Sequence, residues 1–108
     1  MKCFFSDPPG KPDKPTVSDL TGESCTVQWK APHDGGSPIT HYILEKKHPK
    51  DAKWTQVHAE IPNTEFNVTG LTPDTDYVFR VTAVNKAGTG PPSDPSDVAK
   101  YGKFFGYH

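Results

Sequence analysis

The sequence predicts an all-β fold, a seven-stranded antiparallel sandwich of two sheets, and three observations carry the prediction. In residues 71–85, Tyr77, Phe79, Val81 and Ala83 alternate with Val78, Arg80, Thr82 and Val84, the period-two pattern of a half-buried strand. Twelve prolines and nine glycines are scattered among short apolar runs. Both residues disfavour helix interiors, so many short strands joined by tight turns fit better than helices. Thr72-Pro73-Asp74 is turn chemistry set directly before the long strand. The strand therefore enters at a sharp corner, where Tyr77 buries its ring and its hydroxyl is expected to donate to a backbone group a few residues back, the pattern of a tyrosine corner.

The elements follow in order. Residues 7–12, Asp-Pro-Pro-Gly-Lys-Pro, read as a stiff extended linker. Residues 15–20 read as an edge strand, tolerant of proline at its start, and Thr21-Gly22 as a turn. Residues 24–30 are the second strand, with Cys25, Val27 and Trp29 inward and Trp29 the centrepiece of the core. Residues 31–38 form a long loop around Gly35-Gly36. Residues 39–47 are the third strand, with Tyr42 and Leu44 inward. Residues 53–59 are the fourth, carrying Trp54 and Val57, and residues 64–69 the fifth, with Phe66 and Val68 inward and a turn at Gly70. The strand at Tyr77 is sixth and residues 96–101 are seventh. The expected core comprises Trp29, Tyr42, Leu44, Trp54, Phe66, Leu71, Tyr77, Phe79 and Val81. The expected boundaries are a tail at residues 1–8, one domain at 9–101 and a second tail at 102–108.

A chain of 108 residues supports one core and one domain. Its formal charge of −1, from 12 basic and 13 acidic residues, gives no general attraction to nucleic acid or anionic membrane. No run is long and apolar enough for a membrane span, and residues 1–6 are too short for a secretory signal. Cys25 alternates with core residues and Cys3 lies in the N-terminal tail, so the two are not expected to pair. A chain without that staple fits a reducing compartment.

Catalytic and metal chemistry find no constellation. The five histidines, at 33, 41, 48, 58 and 108, lie on loops and polar strand positions without metal-ligand spacing. Neither cysteine has a recognisable base beside it. Gly35-Gly36 leads into a strand, whereas a phosphate cradle needs a helix behind it. No enzyme, cofactor or metal is expected. Three surface features remain. Lys46, Lys47, Lys50 and Lys53 cluster around one turn and would suit an acidic partner, although Glu45 and Asp51 dilute the charge as in a solvated turn. Asn67-Val68-Thr69 satisfies the glycosylation rule, and strand alternation explains the same residues fully. Tyr101, Phe104, Phe105 and Tyr107, with Phe4 and Phe5, either contact a neighbouring domain or are frayed linker.

Several of these motifs, in their order and spacing, resemble the fibronectin type III domains, immunoglobulin-like sandwiches found in many proteins. The resemblance rests on Trp29 in Thr26-Val27-Gln28-Trp29, the run 34–39 (Asp-Gly-Gly-Ser-Pro-Ile), Tyr42 with Glu45, Trp54, the corner at Tyr77, and residues 85–93 (Asn-Lys-Ala-Gly-Thr-Gly-Pro-Pro-Ser). It covers residues 8–101 and is best to the modules of giant muscle proteins. The aromatic C-terminal tail departs from it, because a further proline-rich linker is the usual continuation. The resemblance implies a non-enzymatic structural module in a tandem array within the sarcomere, with neighbouring immunoglobulin and fibronectin type III domains and myosin or other thick-filament proteins as partners. The outward row His41, Ile43, Glu45 and Lys47, continuing into Lys50 and Lys53, is the expected partner surface. The competing expectation is an extracellular adhesion or receptor domain binding a protein ligand. No Arg-Gly-Asp triplet is present.

Overall fold

The computed structural model describes residues 7–73 and 75–100, with no side-chain description for Lys100. Expectations resting on Cys3, Phe4, Phe5, Asp74, Tyr101, Phe104, Phe105, Tyr107 and His108 lie outside the described residues. Two antiparallel sheets form the sandwich. One contains β1 (Thr16–Ser18), β2 (Cys25–Gln28) and β5 (Glu65–Val68) in the order β1-β2-β5. The other contains β3 (His41–Lys47), β4 (Thr55–Ile61), β6 (Asp76–Asn85) and β7 (Gly88–Thr89) in the order β4-β3-β6-β7, with β8 (Ala99–Lys100) paired to the start of β6. No helix occurs among the described residues.

The core lies between the sheets and follows the period-two pattern. Cys25 and Val27 on β2 face Leu44, Phe79, Val81 and Ala83, all fully buried. Trp29 meets Tyr42 edge to face, with ring centroids 5.5 Å apart, a favoured aromatic geometry. Leu71 and Tyr77 are buried, and Phe66 is partly buried against the same cluster. Ile61 joins the core although it falls beyond the expected fourth strand. The β3–β4 register shifts twice, setting Ile61 opposite Tyr42 and His58 opposite Leu44. Such bulges re-aim side chains in a way strict alternation does not anticipate.

Trp54 corrects an expectation. It stands outside the core, half-buried, because it precedes β4 and its ring takes Arg80 (4.6 Å to the centroid) and Lys47 (5.2 Å) as neighbours. A tryptophan ring is a strong acceptor for such cations, so the site suits its amphipathic character without full burial. The corner differs in one detail. The Tyr77 hydroxyl accepts a hydrogen bond from the Thr72 N–H at 3.0 Å, rather than serving there as the donor.

The expected seventh strand is regular only at β8. Before it, residues 90–97 (Gly-Pro-Pro-Ser-Asp-Pro-Ser-Asp) run beside β6 without forming a ladder, since proline has no N–H to give. Ser93 and Ser96 supply the missing bonds. Their N–H groups donate to the Val81 and Phe79 carbonyls at 2.8 and 2.7 Å. Their hydroxyls accept from the Val81 and Phe79 N–H groups, both at 3.0 Å. Each serine thus satisfies both backbone groups of one β6 residue, and both serines are buried.

Candidate functional site

The pairing of β3 with β6 places His41, Ile43, Glu45 and Lys47 opposite Val84, Thr82, Arg80 and Val78, so these residues form one face on the outside of the larger sheet. Within the face, Glu45 and Arg80 form an ion pair at 2.7 Å with side chains only 21% and 27% exposed. Arg80 also stacks on Trp54. Lys47 donates to the Asp51 carbonyl at 3.0 Å, closing the β3–β4 turn, and reaches the same Trp54 ring from its own strand. Lys46 lies over the Tyr77 ring and His48 stacks on it. Glu45 and Lys47 are therefore committed within the module. His41 is partly so, through a 2.8 Å contact between its Nδ1 and the Thr40 hydroxyl. Lys50 and Lys53 are exposed.

A second site was not legible from the expectation of a linker. Residues 7–15 lie on the module, with Pro9, Pro12 and Pro15 buried and Lys11, Asp13 and Lys14 exposed. Burial at every third residue is the period of a polyproline II helix, which proline favours and which needs no internal hydrogen bonds. The segment at 90–97 carries the same spacing, with Ser93 and Ser96 buried and Asp94 and Asp97 exposed. The two segments meet along a ladder, Lys11 to Asp94 at 2.8 Å and Lys14 to Asp97 at 2.9 Å. Both members advance by three, so the segments run parallel. These ion pairs are more than half exposed on every side chain, so each adds little on its own and is weakened by salt. The signal was present in the sequence as Pro-x-x-Pro-x-x-Pro and Ser-x-x-Ser, a period of three rather than two.

Asn85, at the end of β6, holds this assembly at its upper end. It is only 3% exposed. Its Nδ2 donates to the carbonyls of Asp34 at 2.7 Å and Asp7 at 2.8 Å, with a longer contact of 3.4 Å to Ser37. Its Oδ1 accepts from the N–H groups of Ala87 at 2.8 Å and Gly88 at 3.2 Å, closing the β6–β7 turn. An amide side chain has both a donor pair and an acceptor, and the position uses both.

Other chemistry is sparse. Among the described residues no three His, Cys, Asp or Glu side chains cluster to hold a metal ion. His58 stacks on Phe66 with ring centroids 5.2 Å apart. Burial pushes the Tyr42 phenol above its ordinary value of 10.0, which keeps it neutral in the core. Asn67 is exposed on the edge strand β5, its side chain making only long contacts, 3.3 Å to the Thr26 hydroxyl and 3.4 Å to the Cys25 carbonyl.

Two facing antiparallel sheets with a tyrosine corner define an immunoglobulin-like β-sandwich module. The family model for the fibronectin type III domain matches residues 8–99, and the chain belongs to that family. The chain is 43% identical over 86 residues to titin of Drosophila melanogaster, covering 79% of this chain and a share of that protein that rounds to 0%. It is 43% identical over 94 residues to human contactin-2, covering 82% of this chain and 9% of that protein. With M-protein of chicken striated muscle it shares 40% over 91 residues, covering 82% and 6%. Among solved structures, one of titin kinase and its flanking domains matches with a TM-score of 0.85 at 37% identity, over 91% of this chain and 18% of that one. The chain thus spans less than a tenth of the length of titin, contactin-2 and M-protein, and less than a fifth of the chain in that structure. A fibronectin type III domain is a non-catalytic module, and the kinase named in that structure is a separate domain of its own chain.

Proposed function

We infer that this chain is a force-transmitting spacer and scaffold module in the tandem array of a muscle filament-associated protein, with its sister domains as immediate neighbours. The observation that carries the reading is where the chain enters and leaves. Asp7 is held by Asn85 at the last residue of β6, whereas Lys100 pairs with Asp76 at its first. They stand at the two ends of a ten-residue strand, about 30 Å apart along it. Entry and exit at opposite ends allow modules to be strung head to tail. Pulling the ends apart draws residues 7–15 and 90–97 in opposite directions along a parallel contact, so the Lys–Asp ladder, the serine bonds and the Asn85 bonds are loaded in shear together. The similarity to titin and M-protein supports the muscle setting and the sarcomere as its compartment.

The partner proposed for the outer face is myosin or another thick-filament protein with an acidic surface. Because Glu45 and Lys47 are engaged within the module, the residues offered to a partner are Lys50 and Lys53 in the β3–β4 turn, with His41 and Ile43 further along β3. Binding to purified thick-filament components at two ionic strengths tests this. Replacing Lys50 and Lys53 by alanine should weaken binding at low salt while leaving the melting curve unchanged. Equal binding by parent and variant would remove the face from consideration.

The adhesion reading has its own observation, the similarity to contactin-2 together with an exposed Asn67 in a glycosylation sequon. Intact-mass measurement of the protein from its native tissue separates the two settings. The muscle reading requires an unmodified Asn67, and a glycan there would move the module outside the cell.

A further inference from the structure

We propose that residues 7–10 are a bracket belonging to the rigid body of the module, seated on Asn85, Gly35 and Gly90, which fixes the direction from which the preceding chain arrives. The proposal deepens the spacer reading and depends on it only for its consequence. Asp7 is held through both of its peptide groups. Its N–H donates to the Gly35 carbonyl at 2.9 Å and its carbonyl accepts from Asn85 at 2.8 Å. Three residues on, the Gly10 N–H donates to the His33 carbonyl at 2.8 Å. Between these ties Pro8 and Pro9 have fixed φ and no N–H to satisfy, and Pro9 is fully buried.

The seat has two notches cut for this segment. A Cβ on Gly90 would overlap the Pro9 carbonyl, and a Cβ on Gly35 would overlap the carbonyls of Asp7 and Pro8. Glycine at these positions lets two separate loops close on the same backbone. Asn85 then ties the parts together, because the amide that holds Asp7 also holds the Asp34 carbonyl and the turn at Ala87 and Gly88. The bracket, the 33–37 loop and the 85–90 turn are therefore one hydrogen-bonded unit. No hinge of the array therefore lies between the sandwich and its proline pair. All of these contacts sit at one end of the sandwich, just past the last β3–β6 rung at His41 and Val84, so the bracket can be released while the sandwich stays folded.

Amide hydrogen exchange of the whole chain, read residue by residue by NMR, tests this. In the parent, the Asp7 and Gly10 amides should exchange at least about 100-fold more slowly than in an unstructured chain, as hydrogen-bonded amides of a folded unit do. Gly90→Ala and Gly35→Ala each place one methyl group against the bracket from a different loop. Each should return Asp7 and Gly10 to unstructured rates while the amides of Phe79 and Val81 keep their protection. Asn85→Asp, which retains the acceptor and loses the donors, should act in the same way. Unprotected Asp7 and Gly10 amides in the parent would overturn the bracket and leave the spacer reading intact. So would retained protection in both alanine variants, or loss at Ser93 and Ser96 in place of Asp7 and Gly10. A tandem protein that failed to unfold module by module would sink the spacer reading without altering the exchange result.

Discussion

Replacing Asn85 with alanine is the perturbation with the widest consequence for so small a change. The side chain makes four hydrogen bonds between 2.7 and 3.2 Å and one longer contact of 3.4 Å. Each intramolecular hydrogen bond contributes about 0.5–1.5 kcal/mol net, and a buried partner left unsatisfied costs more. The carbonyls of Asp7 and Asp34 belong to exposed residues where water can partly take over, and bonds from one side chain do not add independently. The expected loss is therefore about 2–4 kcal/mol, below the simple sum. For a domain of this size about 1 kcal/mol lowers Tm by roughly 4–8 °C. Urea melts of parent and variant read the effect as a lower midpoint at an unchanged slope, since the surface exposed on unfolding stays nearly the same. A loss below about 0.5 kcal/mol, the range of ordinary surface substitutions, would mean the loops and the N-terminal segment hold their positions without this amide.

Tyr77→Phe removes the acceptor for the Thr72 N–H and should cost about 1–2 kcal/mol in the same melts, at the lower end because Thr72 is exposed; a variant melting with the parent would mean the corner bond is idle. Trp29→Ala empties the space beside Tyr42 and should cost about 3–5 kcal/mol by denaturant midpoint, with less than 1 kcal/mol marking a ring that is not in the core. The Tyr42 phenol is raised by burial, so its contribution is fully present below its ordinary value of 10.0 and is lost as pH rises above it, because the unfolded chain ionises first. Thermal melts of parent and Tyr42→Phe should show a smaller fall in Tm for the variant above pH 10.0, and identical falls would show that the phenol titrates alike in both states.

The rule of alternation made the central strand around Tyr77 and its core-facing residues legible, although the strand is not half-buried as its pattern suggests, because Val78 and Thr82 on its other face are buried as well. The same rule misplaced Trp54, which lies before β4 begins, and stopped short of Ile61, because two register shifts in β4 break the alternation. The N-terminal prolines show a different limit. Their stiffness reads equally well as a linker or as a docked strap, and the decision lies in partners distant in sequence, Gly35, Asn85 and Asp94. The candidate surface was legible as a row, since strand pairing sets which residues share a face. Which members remain available to a partner was not, because the Glu45–Arg80 pair and the Lys47 contact with the turn arise only when β3, β6 and the loop before β4 come together.

Mechanical unfolding of single molecules carrying this module in tandem, stretched by its two ends, tests the spacer account most directly. Residues 7–100 pulled straight span at most about 3.3–3.6 Å each, so a module that enters and leaves at opposite ends should give way in one step of roughly 300 Å after its folded length is subtracted. The account predicts such a single step for each module, shifted to lower force by Asn85→Ala. Gradual lengthening without a step, or two partial steps as the sheets part separately, would contradict it.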